Sequence, residues 1–368
     1  MLALTLVACA DPQIAPDIPV LPITDFTVET IADGLKAPWS VAAVGNGAYF
    51  VTEKTGGLKF IDQNGDVSDV AGLPEDIHVD QQGGLLEIAL PSTFVRDDTV
   101  YLSYASGNKN ANATKLLKAR FVGSELVDQQ VIFTASPTKD TGSHFGGRIV
   151  FLDDNTLILT LGDGFTYREE AQNKNSHLGK IVRLNTDGSI PADNPFADVE
   201  GAKPEIYSWG HRNVQGLHFD SETGLLWAHE HGPKGGDELN LIKAGANYGW
   251  PLATTGVDYN GAKITPFETF ENTEPFVHDW VPSIAPSGMT IYRGNMFPDW
   301  NGDALIGGLM SRDVRRIDLE NSKSVGEEAL FTGLDARIRD VRAAPDGSIL
   351  LVTDDPENGK LLRITPRN

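Results

Sequence analysis

Cysteine is the scarcest residue type, since the 368-residue sequence contains only Cys9. A single thiol cannot form a disulfide within the chain. Long apolar runs are also missing, and no stretch approaches the eighteen apolar residues of a membrane-spanning helix. No segment shows a long helical period, which predicts that helix is scarce.

Positive charge is in short supply. The chain carries 30 Lys and Arg against 51 Asp and Glu, a formal net charge of −21, with a pI of about 4.7. Nucleic-acid binding requires Lys and Arg clustered on one face, and the sequence offers no such patch. The balance therefore excludes a nucleic-acid partner and favours a solvated acidic exterior.

The first residues, MLALTLVAC, resemble the lipobox of exported bacterial lipoproteins, in which the cysteine is lipidated. We interpret residues 1–22 as a signal-like segment followed by a Pro- and Asp-rich tether, and residues 23–368 as a single domain. This predicts an exported protein that is periplasmic or anchored to the outer membrane by lipid on Cys9.

Glycine and proline are abundant, with 38 and 21 residues, as expected for short strands joined by tight turns. One pattern recurs: an Asp/Asn-Gly turn, an apolar strand, a glycine, and a strand that closes on a basic-apolar pair. Its six endings lie 47 to 75 residues apart, at Ile61, Phe121, Leu184, Ile242, Ile317 and Ile364. Repeats of this length predict an all-β fold, a six-bladed β-propeller with four-stranded antiparallel blades.

Ring closure provides an independent test of this prediction. The last repeat is short, while Phe26–Ile31 (FTVETI) is a strand without a partner at the other end of the chain. We expect this N-terminal strand to become the outer strand of the last blade and to close the ring. A helical solenoid conflicts with the strand pattern, and a β-sandwich would not predict six endings.

Polar residues from several repeats are expected to converge at one mouth of the channel. His144 precedes a predicted strand (RIVFL), and Asp163 follows the next one (TLILTL). Adjacent antiparallel strands would bring the two together, and a carboxylate beside an imidazole is the arrangement of a general base. The alternative is that His144 caps a turn and Asp163 serves only the loop.

Three arginines are candidates for an anion site. Arg212 follows a strand, and Arg337 and Arg339 alternate on another strand and so share a face. Surface ion pairs are the usual role of arginine, but three cations in so acidic a protein predict a multiply anionic ligand.

The segment HEHGPKGGDELN suggests a hard cation. Its glycines and Pro233 expose backbone carbonyl groups, which Ca²⁺ accepts as ligands. His229 and His231 could instead bind zinc or copper, a weaker interpretation because no third histidine lies nearby. The sequence contains no G-x-S-x-G motif that would indicate a serine hydrolase.

From about Pro38 to Ile364 the chain resembles the soluble quinoprotein aldose sugar dehydrogenases of the glucose/sorbosone dehydrogenase family. The motifs that carry the resemblance are, in order, PWSVA, QGGLLEIAL, HFGGRIVF, LGDG, GHRNVQG, HEHGPKGGDELN, NYGWP, PSIAPSGM and RIRDVRAAPDGSILLVTDD. Each motif is weak alone, but their order is specific. The resemblance implies a six-bladed propeller that uses pyrroloquinoline quinone (PQQ) and Ca²⁺ to oxidise an aldose to its lactone, with an external electron acceptor.

By resemblance, His144 is the base that takes the proton of the anomeric hydroxyl, Asp163 orients it, and Arg212 polarises the quinone oxygen. The implied contacts to cofactor or substrate are Gln82, Asn213, Arg337 and Arg339. The implied metal ligands are Gly232 and Pro233 for the Ca²⁺ on the cofactor, and Glu238 and Tyr248 for a second, structural Ca²⁺.

One position departs from the family pattern. The glucose-specific branch has a lysine where this chain reads GGLMSRD, so Met310 or Arg312 stands there, with Arg312 as the candidate cofactor contact. The chain also lacks the long insertions of that branch, which implies an open pocket and loose sugar selectivity. Two rival interpretations remain, a calcium-dependent lactonase or esterase on a similar propeller and a propeller that binds a partner without catalysis.

Overall fold

Six β-sheets make up the fold in the computed structural model, which describes residues 18–367. Blade 1 is formed by β3 (Pro38–Gly45), β4 (Ala48–Glu53), β5 (Gly57–Ile61) and β6 (Val67–Asp69). Blade 2 is formed by β7 (Leu85–Ala89), β8 (Thr99–Asn108), β9 (Ala111–Val122) and β10 (Glu125–Thr134). Blade 3 is formed by β11 (Ile149–Phe151), β12 (Thr156–Thr160), β13 (Lys180–Asn185) and β14 (Ile206–Trp209).

The other three blades repeat this order. Blade 4 is formed by β15 (Val214–Asp220), β16 (Leu225–Glu230), β17 (Asp237–Ile242) and β18 (His278–Trp280). Blade 5 is formed by β19 (Pro286–Ile291), β20 (Ala304–Gly308), β21 (Val314–Glu320) and β22 (Lys323–Thr332). Blade 6 is formed by β23 (Ile338–Ala343), β24 (Ile349–Thr353), β25 (Gly359–Pro366) and β2 (Phe26–Leu35). The predicted six-bladed propeller is therefore confirmed.

The ring is closed by β2, which comes from the opposite end of the chain from the other strands of blade 6. It pairs antiparallel with β25, from Phe26 opposite Pro366 to Leu35 opposite Gly359. The expectation that Phe26–Ile31 supplies the missing outer strand is confirmed.

A further strand, β1 (Val20–Pro22), lies parallel to β22 at the edge of blade 5. Residues 1–17 lie outside the described range, and Cys9 with them, so the signal segment and its lipidation stay predictions.

The recurrent sequence pattern marks one structural position. All six predicted endings lie on the third strand of their blades, namely on β5, β9, β13, β17, β21 and β25. The third strand of each blade pairs with the second strand on one side and the fourth on the other. Its sequence pattern is therefore constrained by two neighbours in every blade.

Apolar packing occurs mainly between blades. Six clusters of buried side chains each join one blade to the next, and together they cover all six blade interfaces. The middle strands β12 (TLILT) and β24 (ILLVT) are buried at every position because both of their faces are covered. The outer strand β10 is largely exposed, and its sequence is accordingly polar.

Around the axis, the first strand of each blade contacts the first strands of both neighbouring blades. This arrangement places the start of every first strand and the end of every second strand at the same rim. In the described part of the chain, helix is limited to α1 (Phe94–Asp97) and three 3₁₀ turns at Ile23–Asp25, Arg168–Gln172 and Pro298–Trp300. Within residues 18–367, no helix has the length and apolar character required to cross a bilayer.

We predict that closure depends on Phe26, which packs edge-on against Phe331 at 4.8 Å and beside Trp300 at 5.9 Å. Phe26→Ala should lower the free energy of unfolding by about 3 kcal/mol, since it leaves a cavity between blades 5 and 6. Val28→Ala on the same strand removes a side chain that is 38% exposed. This control should cost under about 1 kcal/mol. Equal losses in denaturant unfolding would contradict the closure model.

Candidate active site

A cavity of about 350 Å³ opens at the rim where the first strands begin and the second strands end. Four residues predicted from the sequence line it, namely Gln82, Asn213, Arg337 and Arg339. They come from blades 2, 4 and 6 and the loops before them, so the propeller brings together residues far apart in the chain.

His144 and Asp163 form a buried pair at the edge of this cavity. The Nδ1 atom of His144 lies 2.6 Å from Oδ1 of Asp163, and both side chains are almost fully removed from solvent. The backbone N–H of His144 donates to the side-chain oxygen of Gln82 at 2.9 Å, which ties the histidine to the cavity wall. The structure thus brings together the two residues that the strand pattern paired.

Glycine makes this approach possible. A Cβ atom on Gly162 would lie 2.3 Å from the carbonyl oxygen of His144, so no other residue fits between the two segments. Asp163 is then held by two more donors, the N–H of Phe165 on Oδ1 at 2.7 Å and the indole N–H of Trp250 on Oδ2 at 2.8 Å. The carboxylate is fixed from three sides.

Burial and hydrogen bonding set the protonation of the pair. Burial lowers the pKa of His144, the charges of Arg212 and Lys139 act in the same direction, and Asp163 opposes them only in part. Burial by itself would raise the pKa of Asp163, but the hydrogen bond from His144 and the positive charge of Arg212 hold it below its ordinary value. At neutral pH the pair is therefore a neutral imidazole beside an ionised carboxylate. Because Nδ1 is engaged by Asp163, Nε2 is the nitrogen left to accept a proton.

Arg212 lies beside this pair and is also buried. Its Nη1 donates to the carbonyl oxygens of His231 at 3.0 Å and Gly232 at 2.5 Å, and its guanidinium lies 5.3 Å from the ring centre of Trp250. Its backbone N–H donates to the carboxylate of Glu230. The guanidinium is therefore held against the loop of the segment HEHGPKGGDELN, here called the glycine-rich loop.

Two more arginines share one carboxylate on the far wall. Arg337 and Arg339 both donate to Asp354, at 2.8 Å and 3.1 Å. Lys54 also lines the cavity, and burial together with Arg339 lowers its pKa. Three cations thus face the cavity against one carboxylate, an excess of positive charge that fits an anion with several carboxylates.

The floor beneath the cavity is a closed set of charges. The guanidinium of Arg148 lies 2.8 Å from Glu87 and 3.1 Å from Asp340. Arg342 pairs with the same two acids, and Arg148 also stacks on Trp39, its guanidinium carbon 4.0 Å from the ring centre. Two arginines and two acids balance, so the floor adds no net charge to the cavity.

The glycine-rich loop gathers carbonyl groups as expected. A Cβ on Gly232 would lie 2.2 Å from the carbonyl oxygen of Gly236 and 2.3 Å from that of Gly235, so only glycine fits. The Gly232 oxygen already accepts from Arg212, while the carbonyl of Pro233 receives no hydrogen bond from residues 18–367. Carbonyl oxygens that attract a guanidinium are of the kind that Ca²⁺ accepts.

A second small cleft is lined by Glu230, Glu238 and Tyr248. Loss of contact with water, followed by repulsion from Glu230, raises the pKa of Glu238 well above its ordinary value. A cation would relieve that repulsion. The phenol of Tyr248 is engaged, donating to the carbonyl of Leu241 at 2.7 Å and accepting from the N–H of Lys243, so its own carbonyl is the group left for a metal. In the described part of the chain, no cluster of three or more His, Cys, Asp or Glu side chains forms a metal site.

The two candidates for the position of the family lysine lie away from the cavity. Arg312 is half exposed and pairs with Asp335 at 3.2 Å, and Met310 is 68% exposed. Neither lines the cavity, and the cofactor contact of Arg312 stays a prediction.

His229 is buried with no partner for either ring nitrogen among the described residues, whereas His231 lines the cavity. The two histidines thus have different surroundings, and the zinc or copper interpretation stays a prediction.

The cavity also contains residues that the sequence did not assign to the cofactor site. The residues that follow or closely follow the second strands of blades 1, 4, 5 and 6 are Lys54, His231, Leu309 and Asp354. Asp163 holds the corresponding place in blade 3. Residues at the start of each first strand were expected to converge at this rim, and the end of the neighbouring second strand is the sequence signal that locates the others.

The chain is similar to known proteins in sequence and in fold. The family model described as Glucose / Sorbosone dehydrogenase matches residues 35–363. The aldose sugar dehydrogenase YliI of Escherichia coli is 38% identical over 348 residues, which cover 93% of each chain. A crystal structure of a glucose dehydrogenase is 39% identical with a TM-score of 0.90, covering 93% of this chain and all of the other.

A third similar structure is the PQQ-bound form of an aldose sugar dehydrogenase from Streptomyces coelicolor. It is 28% identical with a TM-score of 0.75, covering 92% of this chain and 98% of the other. The family match spans nearly the whole described propeller and every residue of the cavity. The chain belongs to the glucose/sorbosone dehydrogenase family, a family of oxidoreductases.

Proposed function

We propose that this protein is a quinoprotein dehydrogenase that oxidises the anomeric carbon of aldose sugars to the lactone, using PQQ and Ca²⁺. The observation that carries the proposal is the buried His144 and Asp163 pair at the edge of a cavity lined by three cations. Oxidation of a sugar hydroxyl requires a base that takes its proton. When the electron acceptor is a polycarboxylate, the base must also lie next to a site that binds anions.

The cavity residues fit the tricarboxylate cofactor by their charge. Lys54, Arg337 and Arg339 would hold its carboxylates, with Gln82 and Asn213 as neutral hydrogen-bonding partners. When bound, PQQ would accept the hydride that leaves C1 of the sugar, and Ca²⁺ on the carbonyls of Gly232 and Pro233 would polarise the quinone as a Lewis acid.

In the proposed reaction, His144 Nε2 takes the proton of the anomeric hydroxyl while the C1–H bond breaks. Loss of one proton and one hydride converts the hemiacetal to the lactone, so atoms and electrons balance. Asp163 fixes the tautomer through Nδ1 and stabilises the imidazolium that forms. Arg212 is held against the loop carbonyls and would add positive charge beside the quinone oxygen.

The cellular location of the enzyme and its electron acceptor are also proposals. We propose export to the periplasm, anchoring to the outer membrane by lipid on Cys9, and an external electron acceptor. The acidic surface and the absence of a basic patch in the sequence support the view that no nucleic acid is involved.

Reconstitution tests the function directly. We expect oxidation of D-glucose with an artificial electron acceptor only after both PQQ and Ca²⁺ are added to cofactor-free protein, and chelation with EDTA should reduce it. NAD should not substitute, because no G-x-G-x-x-G motif follows a strand. Sugar oxidation by stripped protein without additions would refute the proposal.

His144→Ala should separate binding from turnover. We expect PQQ affinity to be retained, because the cavity cations provide it, while turnover at saturating PQQ falls by ~10²- to 10⁴-fold. His177→Ala is the matched control, since this buried histidine pairs with Glu205 outside the cavity. Rates are normalised to folded protein, and near-normal turnover in His144→Ala would assign the proton to another group.

The same residue predicts the pH dependence of the wild-type enzyme. The neutral imidazole is the active form, so the rate rises with pH through the His144 pKa and then levels off. Because burial lowers that pKa, the rise should lie on the acid side of the ordinary value of ~6.5. A rise centred above that value in kcat/KM would contradict the assignment.

Arg337→Ala should show the opposite pattern to His144→Ala. We expect PQQ affinity to fall roughly tenfold or more, with substantial turnover recovered when PQQ is in excess. Arg120→Ala is a close control, because its side chain is 47% exposed against 45% for Arg337 and also pairs with an aspartate. Titration of PQQ into each variant measures the affinity, and equal affinities would remove Arg337 from the site.

A further inference from the structure

Phe165 is in an unusual position for an aromatic residue. Its φ angle is +70°, in the left-handed region that bulky residues rarely adopt, and its side chain is 46% exposed. Strained backbone of this kind persists where the surrounding structure enforces it, and it is concentrated at functional sites. Neither burial nor backbone preference accounts for a phenylalanine here.

The strain is enforced by neighbours of the catalytic pair. The N–H of Phe165 donates to Asp163 Oδ1 at 2.7 Å, which fixes the backbone at the strained position. The preceding carbonyl, of Gly164, accepts from the hydroxyl of Thr141 at 2.7 Å, and the phenol of Tyr167 donates to Asp140 at 2.7 Å. The exposed ring is therefore held on a rigid segment.

The ring lies directly beside the proposed base. Its centre is 5.1 Å from that of the His144 imidazole, and the two planes are nearly perpendicular at 86°. A second exposed ring, Tyr259, lies 6.4 Å from Phe165 at an angle of 31°. Tyr259 is 61% exposed, and its hydroxyl lies 3.5 Å from Arg212 Nη2. Two solvent-facing aromatic rings thus stand next to the groups that carry the chemistry.

We propose that Phe165 is a specificity-determining residue that packs against the C–H face of the sugar's pyranose ring and presents its anomeric hydroxyl to His144. This rests on the proposed function and adds the substrate contact. A pyranose chair has an apolar face of C–H groups, and removing that face and an aromatic ring from water together is favourable. A phenyl ring has no hydrogen-bonding group, so it selects ring shape and not the pattern of hydroxyl groups.

The test uses Phe165→Gly and Phe165→Leu in the PQQ- and Ca²⁺-loaded enzyme. Glycine adopts positive φ without strain, so Phe165→Gly should keep or raise the melting temperature. It should also raise KM for D-glucose about tenfold, with a smaller effect on kcat and an unchanged pH profile. Phe165→Leu keeps an apolar side chain without a flat face and should give the same direction of change.

A binding measurement that needs no turnover accompanies the kinetics. Methyl β-D-glucopyranoside lacks the free anomeric hydroxyl and cannot be oxidised, and saturation-transfer NMR should show contact with its ring C–H protons in the wild type and loss of that contact in both variants. Asn155→Gly is the control, because Asn155 also has positive φ (+63°) and lies in the turn at the opposite end of β12. It should change neither KM nor the NMR signal.

The other outcomes each overturn the proposal. A fall in kcat with unchanged KM and NMR contact would mean that Phe165 only positions His144. A changed KM for the electron acceptor in place of the sugar would assign the two rings to acceptor docking. If the wild type oxidises D-glucose but the variants match it, this inference alone fails. If the wild type neither oxidises D-glucose nor contacts the glycoside, the proposed function fails with it.

Discussion

Closure of the ring is the constraint on which the rest of the structure depends. A four-stranded blade has two apolar faces, and it buries both only when it has a neighbour on each side. The pairing of β2 with β25 supplies the last neighbour, and with it the six apolar clusters between blades form a complete circle. The same closure forces the first strands to meet around the axis, so loops from distant parts of the chain open onto one rim.

The proposed catalytic pair is a local consequence of that convergence. His144 precedes the first strand of blade 3 and Asp163 follows the second, and the absence of a side chain on Gly162 lets the two segments touch. Trp250, from blade 4, then contributes the donor that completes the set around the carboxylate. A buried charge satisfied by groups from two blades can be held ionised, which keeps the imidazole in the tautomer that a base requires.

The net charge of the whole chain and the charge of the cavity have opposite signs. The chain has a formal charge of −21, yet the cavity holds three cations against Asp354. Directly below, Arg148 and Arg342 are balanced by Glu87 and Asp340, so the excess is confined to the cavity. An acidic exterior repels anions, so an anionic ligand meets an excess of positive charge at the cavity.

Spacing along the chain and the period of the strands were enough to predict the number of blades and the closing strand, and they indicated the pairing of His144 with Asp163. The tertiary structure decided what depends on contacts between blades: that Asp354 joins the two arginines, that Trp250 and Lys54 belong to the site, and that Arg312 pairs with Asp335 away from the cavity. Strand periodicity fixes which face a residue occupies, whereas the identity of its partner across the channel depends on how the closed ring rotates each blade against the next.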